Sequence, residues 1–149
     1  MKVLFVCTAN ACRSQMAEAW ARVLFPPDWS VASCGLIPHH VSSRARWVME
    51  EAGVGMEGQE SKTFDKVDLD AFDLIVSLSE EAGRFLPAPA DPRRHVRVPI
   101  EDPVTAVGTP DEVREAFRKG RDEVRAIVQD VVDGRLGPGG GDRPGSAGI

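Results

Sequence analysis

Cys7 and Arg13 are separated by five small or turn-forming residues, directly after the short apolar run at residues 3–6. A helical pattern begins immediately after Arg13. A loop in this position turns backbone N–H groups inward and, with the helix N-terminus, favours a tetrahedral oxyanion, while the arginine fork can hold two of its oxygens. The same positive field favours the thiolate form of Cys7, the nucleophilic form of a cysteine. The segment therefore predicts an oxyanion site and a nucleophile in one loop, here called the anion loop (residues 7–13).

The anion loop has a structural alternative, which is a buried thiol followed by a solvated arginine. The preceding strand, the following helix and the lack of a bulky side chain between Cys7 and Arg13 favour the chemical interpretation. On that interpretation the oxyanion-binding residues are Thr8, Ala9, Asn10, Ala11, Cys12 and Arg13.

Asp102 is the candidate acid for such a nucleophile. A thiolate that attacks a tetrahedral centre needs its leaving oxygen protonated, and a carboxylic acid can supply that proton. Asp102 follows an apolar run at residues 96–100, so it is expected at the same edge of a parallel sheet as the anion loop. We prefer it to Glu101 because Pro103 rigidifies the loop that would aim it. The alternative is an ordinary turn aspartate before proline.

The composition indicates one globular domain, with 149 residues of which 42% are hydrophobic and 28% charged. A net charge of −5 argues against nucleic acid as the main partner, since phosphate contacts need a basic face. No apolar stretch reaches the ~20 residues needed to cross a bilayer, and no signal peptide is visible. Three cysteines, an odd number without metal spacing, suit a reducing compartment. We therefore expect a cytoplasmic monomer with no membrane partner.

Apolar periodicity predicts the elements that position these residues. Helices are predicted over residues 14–24, about 43–52, a short stretch after Ser79, and 110–134; strands are predicted over residues 3–6, 29–33, 72–78 and 96–100. In the first helix Met16, Trp20 and Val23 are expected on the buried face. Strands that alternate with helices predict an α/β fold with a mainly parallel central sheet and helices on both faces. Residues 1–134 form the predicted catalytic domain, and the Gly/Pro-rich residues 135–149 a flexible tail.

The chain resembles the low-molecular-weight protein tyrosine phosphatase superfamily and, within it, the arsenate reductases of phosphatase fold. The resemblance covers residues 2–134 and implies a Rossmann-like three-layer fold. It maps the nucleophile, its arginine and the adjacent serine onto Cys7, Arg13 and Ser14, so that Ser14 would donate a hydrogen bond to the thiolate. It maps the acid onto Asp102. Asn10 matches the loop asparagine, whose tolerance of unusual dihedral angles shapes the cradle.

Two features favour the reductase branch. Gln15 stands where the phosphatases usually carry proline, and residues 102–108, 117–118 and 121–125 look like the C-terminal pattern of the reductases. The chain also has no tyrosine, whereas the phosphatases tend to place tyrosines after the Asp-Pro pair. The resemblance therefore implies reduction of arsenate to arsenite. The alternative is hydrolysis of phosphate monoesters through a phosphocysteine on Cys7. A third hypothesis, from another class, is a catalytically silent module that binds oxyanions.

The chain departs from the thioredoxin-coupled reductases at one point. Those proteins carry two further cysteines after the central strand, and here Ser79 stands where the first would be. Either an external thiol (glutathione, mycothiol, thioredoxin or glutaredoxin) supplies the second sulfur, or Cys12 does, or the protein is a phosphatase. Cys12 could instead only fill space behind the loop, and Cys34 is expected to be buried without chemistry.

Metal binding is predicted at one place at most. The three histidines, His39, His40 and His95, show no ligand spacing and are expected to be surface or loop residues rather than ligands or catalytic bases. We expect no tightly bound cofactor. The resemblance does imply a set of oxygen-bearing residues that would hold potassium near the anion loop: Asn10, Glu18, Ser33, Thr63 and Asp65.

Overall fold

The computed structural model describes residues 1–144, in which four β-strands and four α-helices alternate along the chain. The strands are β1 (Lys2–Cys7), β2 (Ser30–Gly35), β3 (Leu74–Ser77) and β4 (His95–Arg97). The helices are α1 (Arg13–Leu24), α2 (Ser43–Glu51), α3 (Glu80–Phe85) and α4 (Pro110–Val132). Short 3₁₀ helices lie in the connections at Phe64–Lys66, Leu69–Ala71, Pro92–Arg94 and Pro103–Thr105.

The strands form one parallel sheet in the order β2-β1-β3-β4. The register places Cys7 beside Gly35 and Val6 beside Ser77. The carboxyl ends of all the strands therefore meet at one edge, which is where parallel α/β sheets place their ligand sites. The predicted mainly parallel sheet is confirmed.

Alternate residues of β1 face two separate cores. Val3 and Phe5 pack with residues of α1, α2 and α4, including Phe117. Leu4 and Val6 pack in a second cluster with residues of α3 and of the connections around it. Both faces of the sheet are thus covered by helices, as expected for a parallel sheet. The architecture is a three-layer, Rossmann-like α/β fold.

The helix ends follow from local chemistry. Thr109 caps α4 and forms a reciprocal capping box with Glu112, and the helix stops before Gly134, whose φ is 76°. The Ser42 hydroxyl accepts a hydrogen bond from the backbone at the start of α2, and that of Ser79 does the same at the start of α3. These caps agree with the predicted boundaries.

The predicted buried face of α1 is wrong at Val23, which is 61% exposed. The helix is buried on all sides from Arg13 to Ala21, because β1, β2, α2 and α4 surround it. Val23 lies in the last turn on the exposed side of the helix, whereas the next residue, Leu24, packs against the core. A helix that is enclosed by other elements has no polar face from which its periodicity could be read.

Two predictions about β4 are also corrected. His95 is buried rather than a surface residue, and its Nε2 lies 2.8 Å from Ser77 Oγ. Burial, together with the nearby Arg97, lowers the pKa of His95 to about 4, so the ring is neutral at pH 7. The strand ends at Arg97 rather than at residue 100, because the regular register is lost there: Val98 N donates to Ser77 O at 2.9 Å, but Ile100 N donates to Leu78 O at 3.1 Å, one residue short of the next position in the ladder.

The described part of the predicted tail lies along β4. Gly139 N donates to Arg93 O at 2.9 Å, and the Asp142 carboxylate accepts from Arg97 N at 3.0 Å. Residues 145–149 lie outside the described residues, so the division into a catalytic domain and a flexible tail stays a prediction. Within residues 1–144 no helix combines the length and apolar character needed to span a membrane.

Candidate active site

The anion loop connects the carboxyl end of β1 to the start of α1, and its carbonyl groups point outward. The carbonyl oxygens of Thr8, Ala9 and Ala11 each accept a hydrogen bond from a donor outside the loop. The donors are the N–H groups of Leu36, Ile37 and Ser42 and the hydroxyl of Ser61. The C=O and N–H of a trans peptide point in opposite directions. The N–H groups of these peptides therefore face the interior of the loop, where an anion would lie.

The start of α1 adds to this cradle. Cys12 occupies the cap position without a side-chain hydrogen bond to the helix, so the first N–H groups of α1 remain available to an anion. Asn10 has a φ of 51°, the only positive value at a non-glycine residue in the described chain. Gly35 makes room for this turn, because a Cβ there would lie 2.6 Å from Asn10 N.

Ser14 links the nucleophile to the loop asparagine. Cys7 Sγ lies 2.9 Å from Ser14 Oγ, and Asn10 Nδ2 donates to the same Ser14 oxygen at 2.8 Å. Since the Ser14 hydroxyl accepts from Asn10, its own proton is directed at Cys7. A hydroxyl proton in this position would stabilise a thiolate at Cys7, in the role that the resemblance implies for Ser14.

Arg13 connects the anion loop to the segments that follow β3 and β4. Its Nη1 donates to Ile100 O at 3.0 Å and to Leu78 O at 3.4 Å, and its Nη2 lies 3.4 Å from Asp102 Oδ2. The side chain is buried. The guanidinium is thus held by carbonyls that follow β3 and β4, and it brings the predicted acid to the predicted nucleophile.

Asp102 opens the Pro103–Thr105 turn, and its Oδ1 accepts from Val104 N at 3.0 Å. Its other oxygen faces a cavity of about 110 Å³. The residues that line this cavity are Cys7, Thr8, Ala9, Ala11, Cys12, Arg13, His39, Asp102 and Val104. A larger surface groove of about 490 Å³ also has Asp102 in its lining, a second of about 460 Å³ lies between α2 and α4, and Cys7 lines neither of them. The structure therefore brings the four predicted catalytic residues together in or against one small cavity.

Two lining residues were missed by sequence reasoning. His39 was expected to be an ordinary surface residue, and it does remain exposed while also lining the mouth of the cavity. Val104 is 53% exposed at the same mouth. Neither belongs to a motif, because each reaches the cavity through the path of a loop rather than through a spacing pattern.

The other two cysteines differ in their relation to Cys7. Cys12 lines the cavity but is buried, and burial, followed by the charges of Cys7 and Asp102, raises the pKa of its thiol. Cys34 lies in the second core, on the opposite face of the sheet from Cys7, and burial raises the pKa of its thiol to about 12. Both thiols are therefore protonated and poorly nucleophilic near neutral pH.

Position 79 contacts the anion loop. Thr8 Oγ1 lies 3.1 Å from Ser79 Oγ, and also 3.1 Å from a carboxylate oxygen of Glu81. The side chain that the resemblance singled out at the start of α3 therefore lies next to the nucleophile's loop, but it carries a hydroxyl where a relay would need a thiol.

The predicted potassium residues form two separate groups. Asn10 Nδ2 donates to Ser33 Oγ at 3.0 Å, and Ser33 Oγ donates to Glu18 at 2.7 Å. Asn10 thus presents a donor rather than an oxygen to this group, and Arg22 already compensates the Glu18 carboxylate at 2.6 Å. The remaining two residues form an exposed hydrogen-bonded pair, Thr63 with Asp65. The potassium site therefore stays a prediction, and no step below involves potassium.

Comparison with known proteins supplies a second line of evidence. Residues 2–135 match the family described as low molecular weight phosphotyrosine protein phosphatase. The chain is 38% identical over 131 residues to an arsenate reductase of Halalkalibacterium halodurans, covering 88% of this chain and 94% of that protein. It is 34% identical over 131 residues to an arsenate reductase of Bacillus subtilis, again covering 88% of this chain and 94% of that protein.

Solved structures give the same two groups of proteins. An arsenate reductase in the phosphate binding state has a TM-score of 0.73 and 33% identity, covering 89% of this chain and 97% of that chain. The low molecular weight protein tyrosine phosphatase of T. tengcongensis has a TM-score of 0.76 and 26% identity, covering 91% of this chain and 99% of that chain.

Proposed function

We propose that this chain, which belongs to the low molecular weight phosphotyrosine protein phosphatase family, is an arsenate reductase that acts through Cys7 and an external thiol. The observation that carries the proposal is the cavity of about 110 Å³, which contains Cys7, Arg13 and Asp102 and whose lining includes no phenyl or indole ring. Such a cavity suits a small inorganic oxyanion better than the aromatic ring of a phosphotyrosine. The names of the curated relatives point to the same substrate.

The first step is attack by the Cys7 thiolate on arsenate. Arg13 and the inward N–H groups hold the oxyanion and stabilise the charge that develops on it. An S–As bond forms and an As–O bond breaks. Asp102 gives its proton to the leaving oxygen, which departs as water. Ser14 keeps its hydrogen bond to the sulfur, 2.9 Å away, until the sulfur attacks.

The second step needs another sulfur. A thiol attacks Cys7 Sγ, the S–As bond breaks, and its electron pair moves to arsenic, which leaves as arsenite. Cys7 remains in a mixed disulfide, and a second thiol restores it. In total two thiols lose two electrons to arsenate and become one disulfide.

The positions of the other cysteines support an external source for these thiols. Cys12 is buried with a raised pKa, and Cys34 lies across the sheet from Cys7. Neither supplies the thiolate that disulfide exchange requires. A small thiol such as glutathione or mycothiol, or a redox protein such as thioredoxin or glutaredoxin, would attack through the open mouth beside His39 and Val104.

The experiment is an arsenite assay with each reductant supplied separately, run beside an aryl phosphate hydrolysis assay on the same preparation. We expect arsenite with at least one external thiol, and no more than a trace of arsenite without one, for wild type and for Cys34→Ser alike. Cys12→Ser should retain arsenite production, because Cys12 is not the resolving thiol.

Two results would contradict the proposal. Absence of arsenite with every reductant, together with rapid aryl phosphate turnover, would make the protein a phosphatase that uses a phosphocysteine on Cys7. Loss of arsenite production in Cys12→Ser would make Cys12 the second sulfur and remove the need for an external attack on Cys7.

A further inference from the structure

A chain of side-chain amides continues from the nucleophile into the protein, away from the cavity. Gln59 Nε2 donates to Gln15 Oε1 at 2.8 Å and to Gln15 O at 3.0 Å. Gln15 Nε2 donates to Asn10 Oδ1 and to Asn10 O, both at 3.0 Å. Asn10 Nδ2 in turn donates to Ser14 Oγ, which contacts Cys7. Four of the members lie within residues 7–15, and Gln59 lies on the connection between α2 and β3.

Every bond in this chain points the same way, toward Cys7. Gln15 cannot turn its amide over, because its Nε2 faces carbonyl oxygens of Asn10 and Glu60 that can only accept. Gln59 cannot turn over either, because its Nε2 faces two oxygens of Gln15. Hydrogen bonds aligned in series polarise one another. The orientation of the Gln59 amide therefore favours the arrangement in which the Ser14 hydroxyl donates its proton to the Cys7 sulfur.

This orientation leaves the amide oxygen of Gln59, the residue farthest from Cys7 in the chain of amides, in an unfavourable environment. Gln59 is 4% exposed, and its Oε1 has no hydrogen-bond partner among the described residues. A buried acceptor without a partner destabilises a fold, and an apolar side chain of the same shape would avoid it. A glutamine at this position is better explained by what its amide donates than by the stability of the core.

We propose that Gln59 and Gln15 are positioning residues for the thiolate, which orient the Asn10 amide and thereby direct the Ser14 hydroxyl at Cys7. The inference rests on the proposed nucleophilic role of Cys7, and it does not depend on whether the substrate is arsenate or a phosphate ester. Neither glutamine reaches the cavity, so both act through Asn10 and Ser14 alone.

The test compares Gln59→Met, Gln15→Met and the double variant with wild type. Met56→Leu is the matched control, because Met56 is buried in the same segment but its side chain lies outside the amide chain. Two quantities are measured on each protein. The first is the rate of Cys7 alkylation against pH, resolved by peptide mass so that Cys12 and Cys34 do not contribute. The second is the affinity for inorganic phosphate.

We expect the pH midpoint of Cys7 alkylation to rise by about half a unit in Gln59→Met and by more in Gln15→Met, as for loss of one hydrogen bond of ordinary strength. Phosphate affinity should change by less than about twofold, since the inward N–H groups remain. In the Gln15→Met background the Gln59 substitution should add nothing, because coupled residues are not additive. Met56→Leu should match wild type.

An unchanged midpoint in both single variants would overturn the proposal, as would additive shifts in the double variant or an equal shift in Met56→Leu. The alkylation readout needs no substrate. A shifted midpoint in a protein that makes no arsenite would therefore support this inference and contradict the proposed reductase function. An unchanged midpoint in a protein that does make arsenite would contradict this inference and support the reductase function.

Discussion

The two walls of the cavity are built differently. The anion loop is buried except for the half-buried Thr8 and Ala9, and its carbonyls are held by donors from the connections that follow β2 and α2. The opposite wall is the acid loop, residues 101–108, which exposes 53% of Val104 and 89% of Val107. Its contacts are mostly local, such as Thr105 Oγ1 to Asp102 O at 2.8 Å. Pro103 is its buried anchor and packs closely against Gly120 of α4.

One wall is thus suited to binding the oxyanion, and the other to letting a second thiol reach Cys7. Cys7 and the N–H groups proposed to bind the oxyanion are held in place by bonds between residues far apart in sequence, and preorganisation of this form would stabilise developing charge. The acid loop has few such bonds, so it leaves an open mouth through which a second thiol can enter. Arg13 is the direct link between the walls, since it belongs to the anion loop and pairs with Asp102.

The largest effect is expected where the two walls meet. Arg13→Lys keeps the charge but loses the planar fork, and with it the simultaneous bonds to Leu78 O, Ile100 O and Asp102. We expect oxyanion affinity to fall at least tenfold and turnover by about 10²–10³-fold. Phosphate titration and the arsenite assay measure the two effects. Arg114→Lys, at an exposed ion pair on α4, is the control and should behave as wild type. Equal affinity in Arg13→Lys and wild type would show that the loop amides alone bind the anion.

A smaller and more selective effect is expected in the acid loop. Asp102→Asn keeps the acceptor for Val104 N but cannot transfer a proton to the leaving oxygen. Turnover should fall by about 10²-fold while phosphate affinity stays within about threefold, whereas in Arg13→Lys both quantities fall. Glu101→Gln, the neighbouring carboxylate, should retain activity. If Glu101→Gln lost turnover and Asp102→Asn did not, the assignment of the acid would be reversed.

The part of the site that is contiguous in sequence could be located from the sequence alone. The spacing of Cys7 and Arg13 between a strand and a helix was enough to predict the anion loop, because one turn of chain contains all its donors. Asp102 could be placed because the carboxyl ends of parallel strands meet at one edge.

The side-chain contacts that hold the anion loop in place could not be predicted from the sequence. Gln15 and Gln59 are ordinary amides 44 positions apart, and only the fold brings them together. Likewise, His95 looks like any polar residue near a turn, and its burial comes from its pairing with Ser77 on the neighbouring strand. Val23 fits a helical stripe, but its side chain is exposed in the last turn of α1 while the neighbouring Leu24 packs against the core. Periodicity describes one element at a time, whereas each of these outcomes depends on contacts between elements.

The most direct test of the central claim is to measure phosphate binding and arsenite production on Cys7→Ser. Serine keeps the size of the residue and leaves the loop N–H groups and Arg13 in place, but it removes the sulfur. If binding belongs to the preformed anion loop and chemistry to the thiolate, phosphate affinity should remain within about threefold of wild type while arsenite production is abolished. Loss of binding, or arsenite production that continues without the Cys7 sulfur, would contradict the account.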